Sequence, residues 1–127
     1  MARVTGIGGI FFKARDPESL RSWYARHFEI DVQPWGGAAF AWKDDPQADG
    51  GVSVWSIFPE SSDYCPKPFM INFRVADLDA VLAALRAEGC QVDEKTDRSE
   101  FGAFGWVTDP EGNRVELWQP PEGPRAG

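Results

Sequence analysis

A short pattern occurs twice in this chain, and that repeat limits the possible folds more than any other feature. Ile10-Phe11-Phe12-Lys13-Ala14-Arg15-Asp16 aligns with Ile71-Asn72-Phe73-Arg74-Val75-Ala76-Asp77, an offset of 61 residues in a chain of 127. A period of about half the chain is the mark of a duplicated unit. The same offset carries Leu20 onto Val81 and Tyr24 onto Leu85. Each copy therefore reads as a strand followed by a helix. Asp16 caps the first helix and Pro17 takes its first position, where a missing N–H costs nothing. The apolar stripe of that helix is Leu20, Trp23, Tyr24 and Phe28. In the second copy Asp77 caps, Leu78, Val81, Leu82 and Leu85 recur at helical spacing, and Gly89 supplies a left-handed stop.

Three β-like segments follow each helix: 30–34, 38–43 and 52–58, then 91–97, 103–108 and 114–119. Clusters of Gly, Asp, Asn and Pro separate them, as turns require. The expected architecture is one α+β domain of two tandem βαβββ modules, whose mixed sheet is cupped with both helices on its outer face. Module 1 covers about 5–58, a linker with Ser61-Ser62 and bounding prolines about 59–67, module 2 about 68–119, and a loose tail 120–127.

Alternation along a strand sorts side chains by face. With Ile71, Phe73 and Val75 under the second helix, Met70, Asn72 and Arg74 face the hollow. Likewise Ile10, Phe12 and Ala14 pack inward and leave Gly9, Phe11 and Lys13 opposite. Val115 and Leu117 belong to the helix-packed layer, so Arg114, Glu116 and Trp118 join Asn72 and Arg74. In the segment 52–58, Val54, Ser56 and Phe58 are placed inward, with Ser53, Trp55 and Ile57 in the hollow. Trp42, Trp55, Trp106 and Trp118, with Phe40, Phe101 and Phe104, either fill the core or line that hollow.

Charge narrows the partners. Thirteen Lys and Arg against twenty Asp and Glu give a formal charge of -7, which is unsuited to nucleic acid because phosphate binding needs a basic surface. No apolar run approaches the roughly 18 residues of a membrane helix, and the first residues lack a signal-peptide core. Cys65 and Cys90 form neither a metal-type spacing nor a disulfide framework, which fits a reducing, cytoplasmic setting. Glu94, Asp97, Glu100 and Asp109 read as a solvated acidic face. His27, the one histidine, falls near the end of the first helix, where an imidazole meets the helix dipole. Ser53, Ser61, Ser62, Ser99 and Cys65 lack the context of a catalytic nucleophile.

The turn Asp109-Pro110-Glu111-Gly112-Asn113 followed by Arg114-Val115-Glu116-Leu117-Trp118, the pair Trp23-Tyr24 and the repeat itself resemble the glyoxalase, bleomycin-resistance and extradiol-dioxygenase superfamily, also called the vicinal oxygen chelate superfamily, over about residues 5–119. That resemblance implies a homodimer in which two chains complete each cup. In the family's metal-dependent members it also implies one His, Gln or Glu ligand from each of four strands. Gly9, Trp55 and Met70 stand at three of those places, and Glu116 alone is chemically suitable. One carboxylate does not hold a divalent ion against water, so neither a metal site nor a cofactor is expected.

The remaining polar candidates are Asn72, Arg74 and Glu116, with Arg114 and Lys13 as additions. Arg74 and Glu116 either form a cross-strand ion pair or keep part of their charge for a ligand, with Glu116 as general base or as acceptor for a hydroxyl. The expected function is binding of a small, aromatic or cationic organic ligand in an aromatic cup, contacted by Asn72, Arg74, Trp55, Met70, Arg114, Trp118, Phe11, Trp42 and Trp106. Two alternatives stay open: a lyase or extradiol-type dioxygenase with an unconventional ligand set, and a non-catalytic structural or regulatory domain.

Overall fold

The computed structural model describes residues 7 and 9–121. The start of the first module and all but the first two residues of the expected tail lie outside that range. Two helices, α1 (Pro17–Phe28) and α2 (Leu78–Ala87), lie with a five-stranded mixed sheet of β1 (Ile71–Arg74), β2 (Gln91–Val92), β3 (Asp97–Ser99), β4 (Gly102–Thr108) and β5 (Arg114–Gln119). The α+β class expected from the sequence is the one that forms. Among the described residues no helix is long and apolar enough to cross a membrane.

The two halves of the repeat use one device at their helix starts. Asp16 accepts from the N–H of Ser19 and Asp77 from that of Ala80, each at 3.1 Å. Such a cap satisfies one of the orphan donors of the first turn. Gly89 stops α2 at φ +77, a left-handed conformation that glycine adopts without a Cβ penalty. Glu29, at φ 55, ends α1 in the same region without being glycine.

Strand β5 occupies the middle of the sheet, parallel to β1 and antiparallel to β4. Its outer face carries Val115 and Leu117, which pack with Val107 and Ala103 of β4 beneath Leu78, Leu82 and Leu85 of α2 and Leu20 and Tyr24 of α1. Both helices thus share one buried layer, and the inward assignment of Val115 and Leu117 holds. At Gly105 α2 packs tightly on β4: a Cβ there would sit 3.0 Å from Leu82.

The expected strands of the first half do not form among the described residues; the chain between α1 and β1 has only a 3-10 turn, Trp42–Asp44. The reason lies in where α1 packs. Tyr24 and Phe28 set their rings 6.3 and 5.7 Å from Phe73 of β1, so α1 covers the sheet of the second half. Of the segments 30–34, 38–43 and 52–58, only Ile30 packs against the core, and a strand without a buried face or a ladder partner has little to hold it.

The hairpin between β4 and β5 ties α1 to the sheet. Asp109, only 4% exposed, accepts from the Tyr24 hydroxyl at 2.8 Å, the backbone N–H groups of Glu111 and Asn113, and the Asn113 amide. This overturns its reading as part of a solvated acidic face. Burial first, and then Asp109, push the Tyr24 phenol up and keep it a donor.

Glu111, in the same turn, accepts from the N–H groups of Arg15 at 2.7 Å and Asp16 at 2.8 Å, and these hold its carboxyl below the usual glutamate range. A lowered carboxylate stabilises the fold above its ordinary value of 4.5 and loses that contribution as the pH falls through the lowered one. Glu111→Gln is therefore expected to melt below the parent at neutral pH, with the gap narrowing once the pH falls below the ordinary value of 4.5, in paired thermal melts across that range.

Candidate functional site

On the sheet face away from the helices, alternation and register place Asn72, Glu116 and Trp106 in one row across β1, β5 and β4. The row is joined by hydrogen bonds. The Asn72 amide donates to Glu116 Oε1 at 2.7 Å, and the Trp106 indole N–H donates to Oε2 at 3.0 Å. The Tyr64 hydroxyl also donates to Oε2. Glu116 is 6% exposed, so these three neutral donors replace its lost hydration. A carboxylate offers roughly four acceptor positions, which leaves Oε1 with capacity to spare.

The neighbouring row is aromatic. Phe104 and Trp118 are register partners, stacked with centroids 6.1 Å apart, and the Trp118 indole N–H donates to the Phe101 carbonyl at 2.8 Å. The Arg114 guanidinium lies 4.7 Å from the Trp106 ring centroid and 5.8 Å from that of Tyr64. It donates to Asp93 at 2.8 Å and to the Tyr64 carbonyl at 3.1 Å.

Not every residue singled out from the sequence comes to this place. Asn72, Trp106 and Glu116 meet, Arg114 and Trp118 flank them, and half-buried Met70 immediately precedes β1. Arg74 turns elsewhere: it forms an ion pair with Asp45 and donates to the Val52 carbonyl at 3.4 Å. It therefore forms no ion pair with Glu116. Its position opposite Trp118 is two residues, about 6.6 Å, along the strand from the Glu116 row. The N–H of Gln47 first, and Arg74 with it, hold the Asp45 carboxyl low. Phe11, Trp42 and Trp55 are 94%, 85% and 77% exposed; they belong to the first-half segments that carry no sheet pairing.

Tyr64 is the residue that sequence reasoning missed, because it sits in the linker set aside between the modules. The available signal was a lone aromatic ring within a stretch of Pro, Ser and Asp. Burial, and then the hydrogen bond and charge of Glu116, push its phenol up, so it remains a donor at neutral pH.

The residues present do not fit the divalent ion that the superfamily's metal-dependent members hold. Glycine, methionine and tryptophan at 9, 70 and 55 offer no hard donor, and Glu116 is engaged by three N–H and O–H donors. No three His, Cys, Asp or Glu converge among the described residues. His27 lies in the last turn of α1, against the Trp23 ring at 5.1 Å and with Nε2 3.7 Å from Cys90 Sγ. Burial pushes the Cys90 thiol up, away from thiolate reactivity. A separate open groove of about 410 Å³ runs between the end of α1 and residues 30–40, lined by Phe28, Ile30, Trp35 and Phe40 among others.

Solved structures resemble this arrangement. TnmS3, an antibiotic binding protein from Streptomyces sp. CB03234, is 25% identical over 84% of this chain and 88% of its own, with a TM-score of 0.52. A glyoxalase-related enzyme from Fulvimarina pelagi is 21% identical over 97% of this chain and 94% of its own, at 0.55. The oxidase ChaP-H2 is 19% identical over 87% and 89%, also at 0.55. The chain spans 47% of the length of a further match, a conserved domain protein, at a TM-score of 0.39. Curated proteins give no significant match. The glyoxalase-like domain model matches residues 9–118, a span that takes in both copies of the repeat and the Glu116 strand, and this chain belongs to that family.

Proposed function

We propose that this chain binds a small aromatic organic molecule against the Asn72, Trp106 and Glu116 face, without a metal. One observation carries the reading: a buried carboxylate held by three neutral donors, with acceptor capacity left, beside a surface of indole and phenyl rings. Burying a carboxylate costs several kcal/mol, and an apolar residue would fill the place more cheaply. Retaining the charge makes sense where a ligand hydrogen-bond donor meets it. The likeness to an antibiotic binding protein points the same way.

Net acidity draws cations to the molecule as a whole, but screening limits that pull to about 8–10 Å. At the site itself Arg114 already lies over the Trp106 ring, which leaves a cationic ligand less of that ring to meet and makes a neutral aromatic the reading adopted. A thermal-shift panel of neutral aromatics, aromatic amines and planar cations tests this. A binder at about one hundred times its Kd adds roughly 2.7 kcal/mol, on the order of 10 °C in melting temperature. A flat panel would return the chain to the structural or regulatory reading. Near-stoichiometric Fe, Mn, Ni or Zn surviving dialysis would reverse the metal-free reading in favour of lyase or dioxygenase chemistry.

The same reading includes a homodimer. Strand β1 pairs with β5 alone among the described strands, and Phe69 before it, with Phe11, Trp55 and Ile57, presents apolar surface to solvent. Open edges and exposed apolar side chains are covered in working proteins, and a second copy is the cover that the resemblance implies. Sedimentation at micromolar concentration is expected to give twice the chain mass; a monomer there contradicts it.

A further inference from the structure

We propose that Tyr64 is a tethered occupant of the Glu116 site, and that the ligand which replaces it carries a phenolic hydroxyl. The inference rests on the reading of that face as a binding site and names the chemistry it selects. The Tyr64 ring already has the contacts a phenol would seek. It is stacked on Phe58 with centroids 5.4 Å apart and an interplanar angle of 3°, and it meets the Trp106 ring edge-on at 5.9 Å. The Arg114 guanidinium lies 5.8 Å from its centroid. Its hydroxyl donates to Glu116 Oε2. Ring face, ring edge, cation and acceptor are each an established attraction for an aromatic hydroxyl.

Apart from these ring and hydroxyl contacts, Tyr64 is held by two backbone hydrogen bonds. The residue is 39% exposed and lies outside the apolar core cluster. Its segment has no regular structure and is fastened near the ring by the Ser62 hydroxyl, which accepts from the Tyr64 N–H at 3.2 Å, and by Arg114 at the carbonyl. Swinging the ring outward therefore leaves the sheet and both helices in place. What it exposes is Oε2 of Glu116, the Trp106 ring and the Phe58 face, a set complementary to the group that has just left. Occupation by a built-in phenol lowers the apparent affinity by the fraction of molecules in which the site is open.

Calorimetric titration with 2-naphthol and with its methyl ether, which keeps the rings and lacks the O–H donor, tests the proposal on the whole chain. Tyr64→Phe removes the competing hydroxyl and is expected to tighten 2-naphthol about tenfold, the scale of one charge-assisted hydrogen bond, while changing the ether less than twofold. Tyr64→Leu, which removes the ring, is expected to give the same ranking. Equal binding of naphthol and ether to the parent, unchanged by either substitution, overturns the phenol assignment and leaves an aromatic site. Weaker naphthol binding in Tyr64→Phe also overturns it, because Tyr64 would then be a partner of the ligand and not its rival. Binding of neither probe to any of the three proteins overturns both this proposal and the reading beneath it.

Discussion

Asp109→Ala is expected to lower the unfolding free energy by about 3–4 kcal/mol, read from chemical denaturation at neutral pH. The substitution deletes an acceptor that serves four donors at once: the Tyr24 hydroxyl, two backbone N–H groups of its own turn and the Asn113 amide. Water reaches the vacated place poorly, since Asp109 is buried, so the Tyr24 phenol bears most of its desolvation cost unpaired. Tyr24→Phe removes one donor and leaves the carboxylate three, and about 1–2 kcal/mol is expected for it. The two effects should not add, because both break the same link between α1 and the β4–β5 hairpin. A loss below about 1 kcal/mol for Asp109→Ala would mean that the turn holds itself and that the helix needs no clamp.

Glu116 separates stability from binding. In Glu116→Gln the side-chain oxygen still accepts from Trp106 and Tyr64, and a turned Asn72 amide can accept from the new NH₂ group. A stability cost of about 1 kcal/mol is expected, with at least a tenfold loss of affinity for the aromatic hydroxy compounds of the panel. Glu116→Ala instead strands the buried Trp106 N–H and opens a cavity, for which about 2–4 kcal/mol is expected. Thermal melts and titrations on the two variants check both halves. If Glu116→Gln binds as the parent does, the carboxylate serves only to satisfy its neighbours.

What the sequence revealed and what it hid have physical causes. The second half was legible because its alternation coincides with two distinct faces: Val115 and Leu117 go under the helices, and Asn72 and Glu116 meet on the other side at 2.7 Å. Period-two patterning works where a helix covers one face. In the first half Phe12 meets Tyr24, and Ala14 and Ile30 touch the core, but α1 sets Tyr24 and Phe28 against Phe73 of β1, and the first-half segments carry no sheet pairing among the described residues. Arg74 could not be placed because its partner Asp45 comes from a turn 29 residues earlier, a separation that no local pattern encodes. Asp109 was mistaken for surface because counting acidic residues ignores turn chemistry; an Asp that begins a Pro-Glu-Gly-Asn turn folds its carboxyl over its own backbone. Tyr64 was hidden for the opposite reason. Irregular chain is routinely set aside as connection, although binding residues concentrate there.

An aromatic ligand is expected to meet the chain at Glu116 and not in the groove beside α1. Indole N–H resonances report on both places at once. Trp106 donates to Glu116 and Trp35 borders the groove, and each signal can be assigned from its Trp→Phe variant. During titration with the tightest aromatic binder of the panel, the Trp106 resonance is expected to shift and saturate while that of Trp35 stays still. Movement of Trp35 with Trp106 unchanged would place the ligand in the groove and leave Glu116 without it.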